Sequence, residues 1–188
     1  MPKLQKAVFE KLGFSINQVY NNYVSHGDFL TFVCRNVTDT DYLVFFDVDC
    51  IPINKDWILK LFVDLLMPCT IVGSAQTANH LNNGQNLYVS PFFFAISTAY
   101  LKELDYPDLG VTIDMDAGQN LTAQIIKNAG NVKYWWPTHI EEEKWFLHHP
   151  VYNRFGLGTT YNDTIYHAFC SRENLSSNFI RKCESILI

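Results

Sequence analysis

An α/β fold with a mainly parallel sheet flanked by helices is what this sequence predicts, on three observations. Helical and strand-like segments alternate along much of the chain, the pattern of strands joined by helical crossovers. The run Tyr42-Leu43-Val44-Phe45-Phe46 is short, apolar and bounded by polar residues, as a strand buried on both faces would be. That run passes directly into Asp47-Val48-Asp49, with Pro52 closing the stretch. Two carboxylates one residue apart then sit at the carboxyl end of a strand, where open α/β sheets bind ligands.

The elements follow in order. Pro2 to Leu12 places Leu4, Val8 and Leu12 on one helical face, and Gly13 ends the helix. Ser15 to Tyr20 alternates weakly, as a short strand does, and Asn21-Asn22 reads as a loop. Ser25 is an N-cap for a helix from His26 to Arg35. Asp39 to Asp41 is a turn before the central strand. Asn54 starts an amphipathic helix, Lys55 to Leu66, which stops before Pro68. Thr70 to Ser74 is a short strand, and the Asn-rich stretch from Gln76 to Leu87 reads as a surface loop. Tyr88 to Ile96 is extended, Ser97 to Leu104 helical and Tyr106 to Asp116 irregular. A helix from Asn120 to Asn128 is ended by Gly130, and a strand from Val132 to Trp136 by Pro137. The aromatic tail to Gly158 reads as irregular, Tyr161 to Cys170 as extended, and Ser177 to Ile188 holds a final helix.

A chain of 188 residues that is 48% hydrophobic supports one domain with a proper core. Its two halves divide near residue 75: residues 1–75 carry the acidic pair, and residues 76–188 the less regular remainder. The formal net charge of -5 argues against a nucleic-acid surface. The five cysteines form no CxxC pair, and no stretch reads as a signal peptide or membrane span. Reduced thiols in a cytoplasmic protein are the expectation.

Three groups of residues could carry chemistry. Asp47 and Asp49 would be costly to hold together without a counter-charge, and a divalent cation carrying phosphate oxygens supplies one. Asp116, just before a helix, can cap that helix or act as a general base. His167 and Arg172 lie close together in sequence; His167 can be structural or a metal ligand, and Arg172 can donate to a phosphate oxygen. His26, at a helix start, is a candidate for touching a bound nucleotide. Phe92-Phe93-Phe94 and Trp135-Trp136 are core by default and sugar-stacking surfaces otherwise.

Taken together, these residues resemble the GT-A glycosyltransferases, the nucleotide-sugar-dependent class with a Rossmann-like sheet. The likeness rests on the apolar strand with Asp47-Val48-Asp49 and Pro52, on Tyr88 to Leu104, and on Asp116 before the helix that ends at Ala129-Gly130 with Val132 to Pro137 behind it. It spans about Phe14 to Pro137, with His167 and Arg172 as a looser match. The resemblance implies a Mn2+ or Mg2+ ion bridging the acidic pair and the donor diphosphate. Asp49 would be the direct ligand, Asp47 would contact the ribose or, through water, the ion, and His167 would be an added ligand. It implies that Asp116 deprotonates an acceptor hydroxyl in an inverting transfer, with a nucleotide sugar and a glycan or other hydroxyl acceptor as partners. Such enzymes open with a strand that this chain lacks, so a sheet without its usual first strand is expected.

Two other readings stand beside this one. A non-catalytic sugar-nucleotide or glycan-binding domain would bind without turnover. A HAD-type phosphatase would use Asp47 as nucleophile and Asp49 as acid/base, although Cys50-Ile51-Pro52 departs from that family's pattern. Asp47→Asn separates the two enzymes. For a phosphatase it abolishes a phosphoenzyme formed on p-nitrophenyl phosphate; for a glycosyltransferase no phosphoenzyme forms in the parent protein.

Overall fold

The computed structural model describes residues 1–19, 23–81, 86–169 and 176–188. The chain opens with helix α1 (Pro2–Leu12), α2 (His26–Asn36), strand β1 (Tyr42–Phe46), β2 (Cys50–Pro52), α3 (Asp56–Leu65) and β3 (Thr70–Thr77). It continues with β4 (Leu87–Ser97), α4 (Thr98–Glu103), α5 (Gln119–Lys127), β5 (Asn131–Trp135), β6 (Pro137–Phe146), β7 (Arg154–Tyr161), β8 (Ile165–His167) and α6 (Ser176–Leu187).

The strands form two sheets, one in the order β1-β4-β3-β5 and the other β2-β8-β7-β6. In the first, β4 runs antiparallel to both β1 and β3, and only β3 and β5 pair in parallel. The second is antiparallel throughout. The mainly parallel, Rossmann-like sheet expected from the sequence is therefore wrong, and the GT-A sheet without its first strand falls with it. The misreading has a specific origin. β1, β3 and β5 do point the same way, as strands linked by helical crossovers should. β4 inserts between β1 and β3 in the opposite sense and converts two of the three pairings to antiparallel. β4 is buried on both faces, so its run through Phe92-Phe93-Phe94 carries no alternation that marks its direction.

Other expectations also need correction. Residues 14–19 form no strand, and Tyr20, Asn21 and Asn22 lie outside the described residues. The stretch from Gln76 to Leu87 is not all loop, because β3 continues to Thr77 and β4 begins at Leu87; the residues between include four outside the described set. The segment between Pro137 and Gly158 is not irregular but supplies β6 and most of β7. β6 escapes pattern reading because it is an outer strand of mostly exposed residues. Its row Glu141-Glu142-Glu143-Lys144 reads as a solvated loop, yet charge is how edge strands are guarded. β1 is also an outer strand. Hydrogen bonds from Asp47 N–H to the Phe92 carbonyl and from Thr98 N–H to the Asp41 carbonyl fix its register. The amides of Val44 and Phe46 consequently face away from β4.

Local capping follows the sequence at α1, α2 and α4, whereas the N-cap of α3 is Lys55 and not Asn54. Gly13 adopts φ 87° after α1, and the Ser25 and Ser97 hydroxyls accept the Asp28 and Tyr100 N–H at the starts of α2 and α4. The core is continuous across the sheets. Val72, Ala75 and Phe93 from the first pack with Phe155, Leu157 and Ile165 from the second, closed by Trp57, Leu61 and Leu65 of α3. A second cluster lies under α2, α4 and α5, and a third joins α1, α6, β2 and β8. Cys34, Cys50, Cys69 and Cys183 are free thiols, and no helix among the described residues is long and apolar enough to cross a membrane.

Several buried acids are held protonated by the fold. Burial pushes the Tyr88 and Tyr161 hydroxyls far above their ordinary value near 10, and Asp116 adds to the effect at Tyr88. Burial alone raises Tyr134 to about 12 and the Cys34 thiol from 9 to about 12. At high pH the unfolded chain sheds these protons while the folded chain keeps them, so the folded state is penalised as pH rises. The expected outcome is a thermal midpoint, followed by circular dichroism, that is level up to about pH 9 and falls steadily above pH 10. A level midpoint up to about pH 11 would contradict the burial of these groups.

Candidate metal centre

The acidic pair lies in the turn that carries the chain from one sheet to the other. β1 ends at Phe46, the Asp47 N–H donates to the Phe92 carbonyl at 2.8 Å, and Cys50 N–H closes the turn on the Asp47 carbonyl at 2.9 Å. The buried Gln5 amide of α1 reinforces this turn by donating to the Asp47 carbonyl at 2.6 Å and the Cys50 carbonyl at 2.9 Å. β2 then pairs with β8, with Cys50 opposite His167 and Ala168 N–H bonded to the Asp49 carbonyl. This ladder sets His167 beside Asp49 across 118 residues of sequence.

His167 Nε2 lies 3.2 Å from Asp49 Oδ1, and His26 Nε2 lies 3.1 Å from Asp47 Oδ1. One ligand atom from each of Asp47, Asp49 and His167 falls within 4.8 Å of the others. The cluster is graded from inside to outside. The His167 and Asp49 side chains are 7% and 11% exposed, whereas His26 and Asp47 are 37% and 35% exposed. Phe92 stacks on the His167 imidazole at 3.8 Å and Phe169 approaches it at 3.9 Å, which fixes the ring plane.

These residues suit a dication. Two carboxylates brought together repel each other, and a buried imidazole whose Nδ1 has no hydrogen-bond partner among the described residues is costly as a polar group. Carboxylate oxygens serve Mg2+ and Mn2+, and an imidazole in the set favours the softer Mn2+. Cys50 adjoins the pair but offers no thiolate, because burial first, and then Asp49 and Asp47, push its thiol well above 9.

Asp116 lines a neighbouring cavity. Its Oδ2 accepts the Tyr88 hydroxyl at 2.9 Å and its Oδ1 accepts Ala117 N–H at 2.8 Å. It is not the N-cap of α5; that position is Gly118, at φ 78°. Asp116 and Phe169 line the same cavity of about 260 Å³, and Phe169 is the residue packed against His167. Arg172 lies outside the described residues. Phe92, Phe93, Phe94 and Trp135 are core. Trp136 is half-buried and stacks on Tyr152 and His149, whose Nδ1 accepts the Val151 and Tyr152 N–H groups. Sequence reasoning missed Gln5, Tyr88 and the clamping of His167 by Phe92. None carries a local pattern, since each acts through strand register or helix packing.

No protein-family model, curated protein or solved structure matches this chain.

His167→Ala removes the buried candidate ligand. Titration calorimetry with Mn2+ is expected to show affinity reduced by more than the roughly 10–100-fold that loss of an outer-shell partner costs. Unchanged Mn2+ affinity would return His167 to a purely structural role.

Proposed function

We propose that this chain is a metal-dependent glycosyltransferase. It binds the diphosphate of a nucleotide sugar through a cation held by Asp47, Asp49 and His167, and transfers the sugar to a hydroxyl of a glycan or other acceptor. The observation that carries the reading is the convergence of the two turn carboxylates and the β8 imidazole onto one point. When bound, the cation would neutralise the diphosphate and stabilise the charge that grows on it as it leaves.

The chain's own residues divide the remaining work. His26, at the exposed end of the cluster and at the start of α2, would meet the nucleotide portion. Asp116 takes the proton of the acceptor hydroxyl. The acceptor oxygen then bonds to the anomeric carbon as the bond to the diphosphate oxygen breaks, and that electron pair leaves with the diphosphate. Attack on the face opposite the leaving group inverts the anomeric configuration. Tyr88 holds the Asp116 carboxylate by donating to Oδ2. The Tyr88 proton stays in place because burial and the adjacent carboxylate both oppose its loss.

The test is a panel of nucleotide sugars with and without Mn2+, read by thermal shift and by donor hydrolysis. Metal-dependent stabilisation is expected, about 2.7 kcal/mol at a ligand concentration of 100 times Kd, together with slow hydrolysis that Asp116→Asn abolishes. Stabilisation indifferent to metal across the panel would overturn the proposal. Metal-dependent binding without hydrolysis or transfer would reduce the protein to a binding domain and overturn the catalytic part.

A further inference from the structure

A buried glutamine grips the turn that carries the acidic pair. Gln5 is 2% exposed and lies on the face of α1 that also buries Val8 and Phe9. Those two apolar neighbours seat α1 against the strands around the metal centre. Val8 shares a cluster with Ile51 of β2 and with Tyr166 and Ala168 at β8. Phe9 meets the Phe46 ring edge-on at 4.9 Å, at the end of β1. A glutamine in such a seam must satisfy two donor hydrogens and an acceptor oxygen away from water.

All of these are satisfied, and in one orientation. Both groups next to Nε2 are carbonyl oxygens, so the amide nitrogen has to face them. It donates to the Asp47 carbonyl at 2.6 Å and to the Cys50 carbonyl at 2.9 Å. Oε1 accepts the Gln18 amide at 2.9 Å, and the same Gln18 nitrogen reaches the Pro2 carbonyl at 2.8 Å. The two carbonyls that Gln5 bonds are the first and last of the turn. Cys50 N–H already closes that turn on Asp47, so the Asp47 carbonyl holds two donors. The Cys50 carbonyl is out of reach of β8. In the β2–β8 ladder the Asp49 carbonyl and the Ile53 N–H bond to β8, and the alternate position, Cys50, faces the outer edge of β2. Gln5 takes the place a neighbouring strand would hold there.

We infer that Gln5 is the positioning residue of the metal centre, and that docking of α1 and binding of a dication at Asp47, Asp49 and His167 are one coupled equilibrium. The inference rests on the metal-centre reading and not on sugar transfer. Its basis is the smallness of the turn. Asp47 and Asp49 are two residues apart, so the backbone of this one turn decides whether their carboxylates face a common point or diverge. Without an ion the two charges push the turn open, and with one they draw it shut. The Gln5 bonds act in the same sense as the ion. Coupling of this kind is reciprocal: the factor by which a docked α1 tightens the cation equals the factor by which the cation tightens α1.

The two directions are measured separately. Gln5→Met keeps the length of the side chain and removes both donors. Titration calorimetry is expected to show Mn2+ affinity about tenfold weaker, the lower end of what loss of an outer-shell partner costs. Ile125→Ala is the control, because it opens a hole in the separate cluster beneath α2, α4 and α5. It is expected to lower thermal stability and leave Mn2+ affinity unchanged, which separates positioning from general weakening of the fold. The reverse direction is read in the parent protein by hydrogen exchange and mass spectrometry, so it stands even if Gln5→Met does not fold. Saturating Mn2+ is expected to slow exchange of the α1 amides, relative to those of α5, by a factor similar to the affinity lost in Gln5→Met. Parental Mn2+ affinity in Gln5→Met, or α1 exchange indifferent to the ion, overturns the inference and leaves the metal centre standing. A parent protein that binds no Mn2+ overturns both.

Discussion

Mutual repulsion between two carboxylates in one tight turn is the constraint around which this molecule is arranged. Asp47 and Asp49 leave β1 within two residues of each other, and the surrounding elements deliver compensating groups to them. α2 brings His26 to Asp47, β8 brings His167 to Asp49, and α1 contributes the Gln5 amide to the turn's carbonyls. Because the turn also runs alongside the end of β8, its two acids and the β8 imidazole come to share a point. The Phe92 and Phe169 rings beside His167 keep that point dry on its inner side.

The acidic pair was legible in the sequence because it depends on neighbours: an apolar run, two acids, a proline. Most helix positions were legible for the same reason, since caps such as Ser25 and Gly13 act within one turn. Strand direction was not legible. Nothing in Leu87–Ser97 states that it will insert between β1 and β3 against their common sense, because a strand buried on both faces shows no alternation. β6 was invisible for the opposite reason, being exposed and charged enough to imitate a loop. His167 stood out as a histidine in an extended segment, but its nearness to Asp49 depends on the pairing of β2 with β8, which no local pattern encodes.

The side chains that complete the candidate site share that non-local character. Tyr88 reaches Asp116 across 28 residues, and Gln76 stands opposite Tyr88 in the β3–β4 ladder. The cavity is lined by Gln76 and Thr77 of β3, by Trp145 of β6 and Phe155 of β7, and by Asn79, His80, Asp116 and Phe169 from the connecting segments.

The two outer flanks of the molecule differ in how they meet a neighbouring chain. β6 presents a glutamate row that repels its own kind. The outward amides of Val44 and Phe46 on β1 sit on a strand with no charge, proline or bulge, next to the half-exposed ring of Phe62 that touches Tyr42. That flank is a rim on which further strands can be templated. Crowding in concentrated samples would begin there, and a lysine at position 44 is the natural remedy for anyone handling the protein.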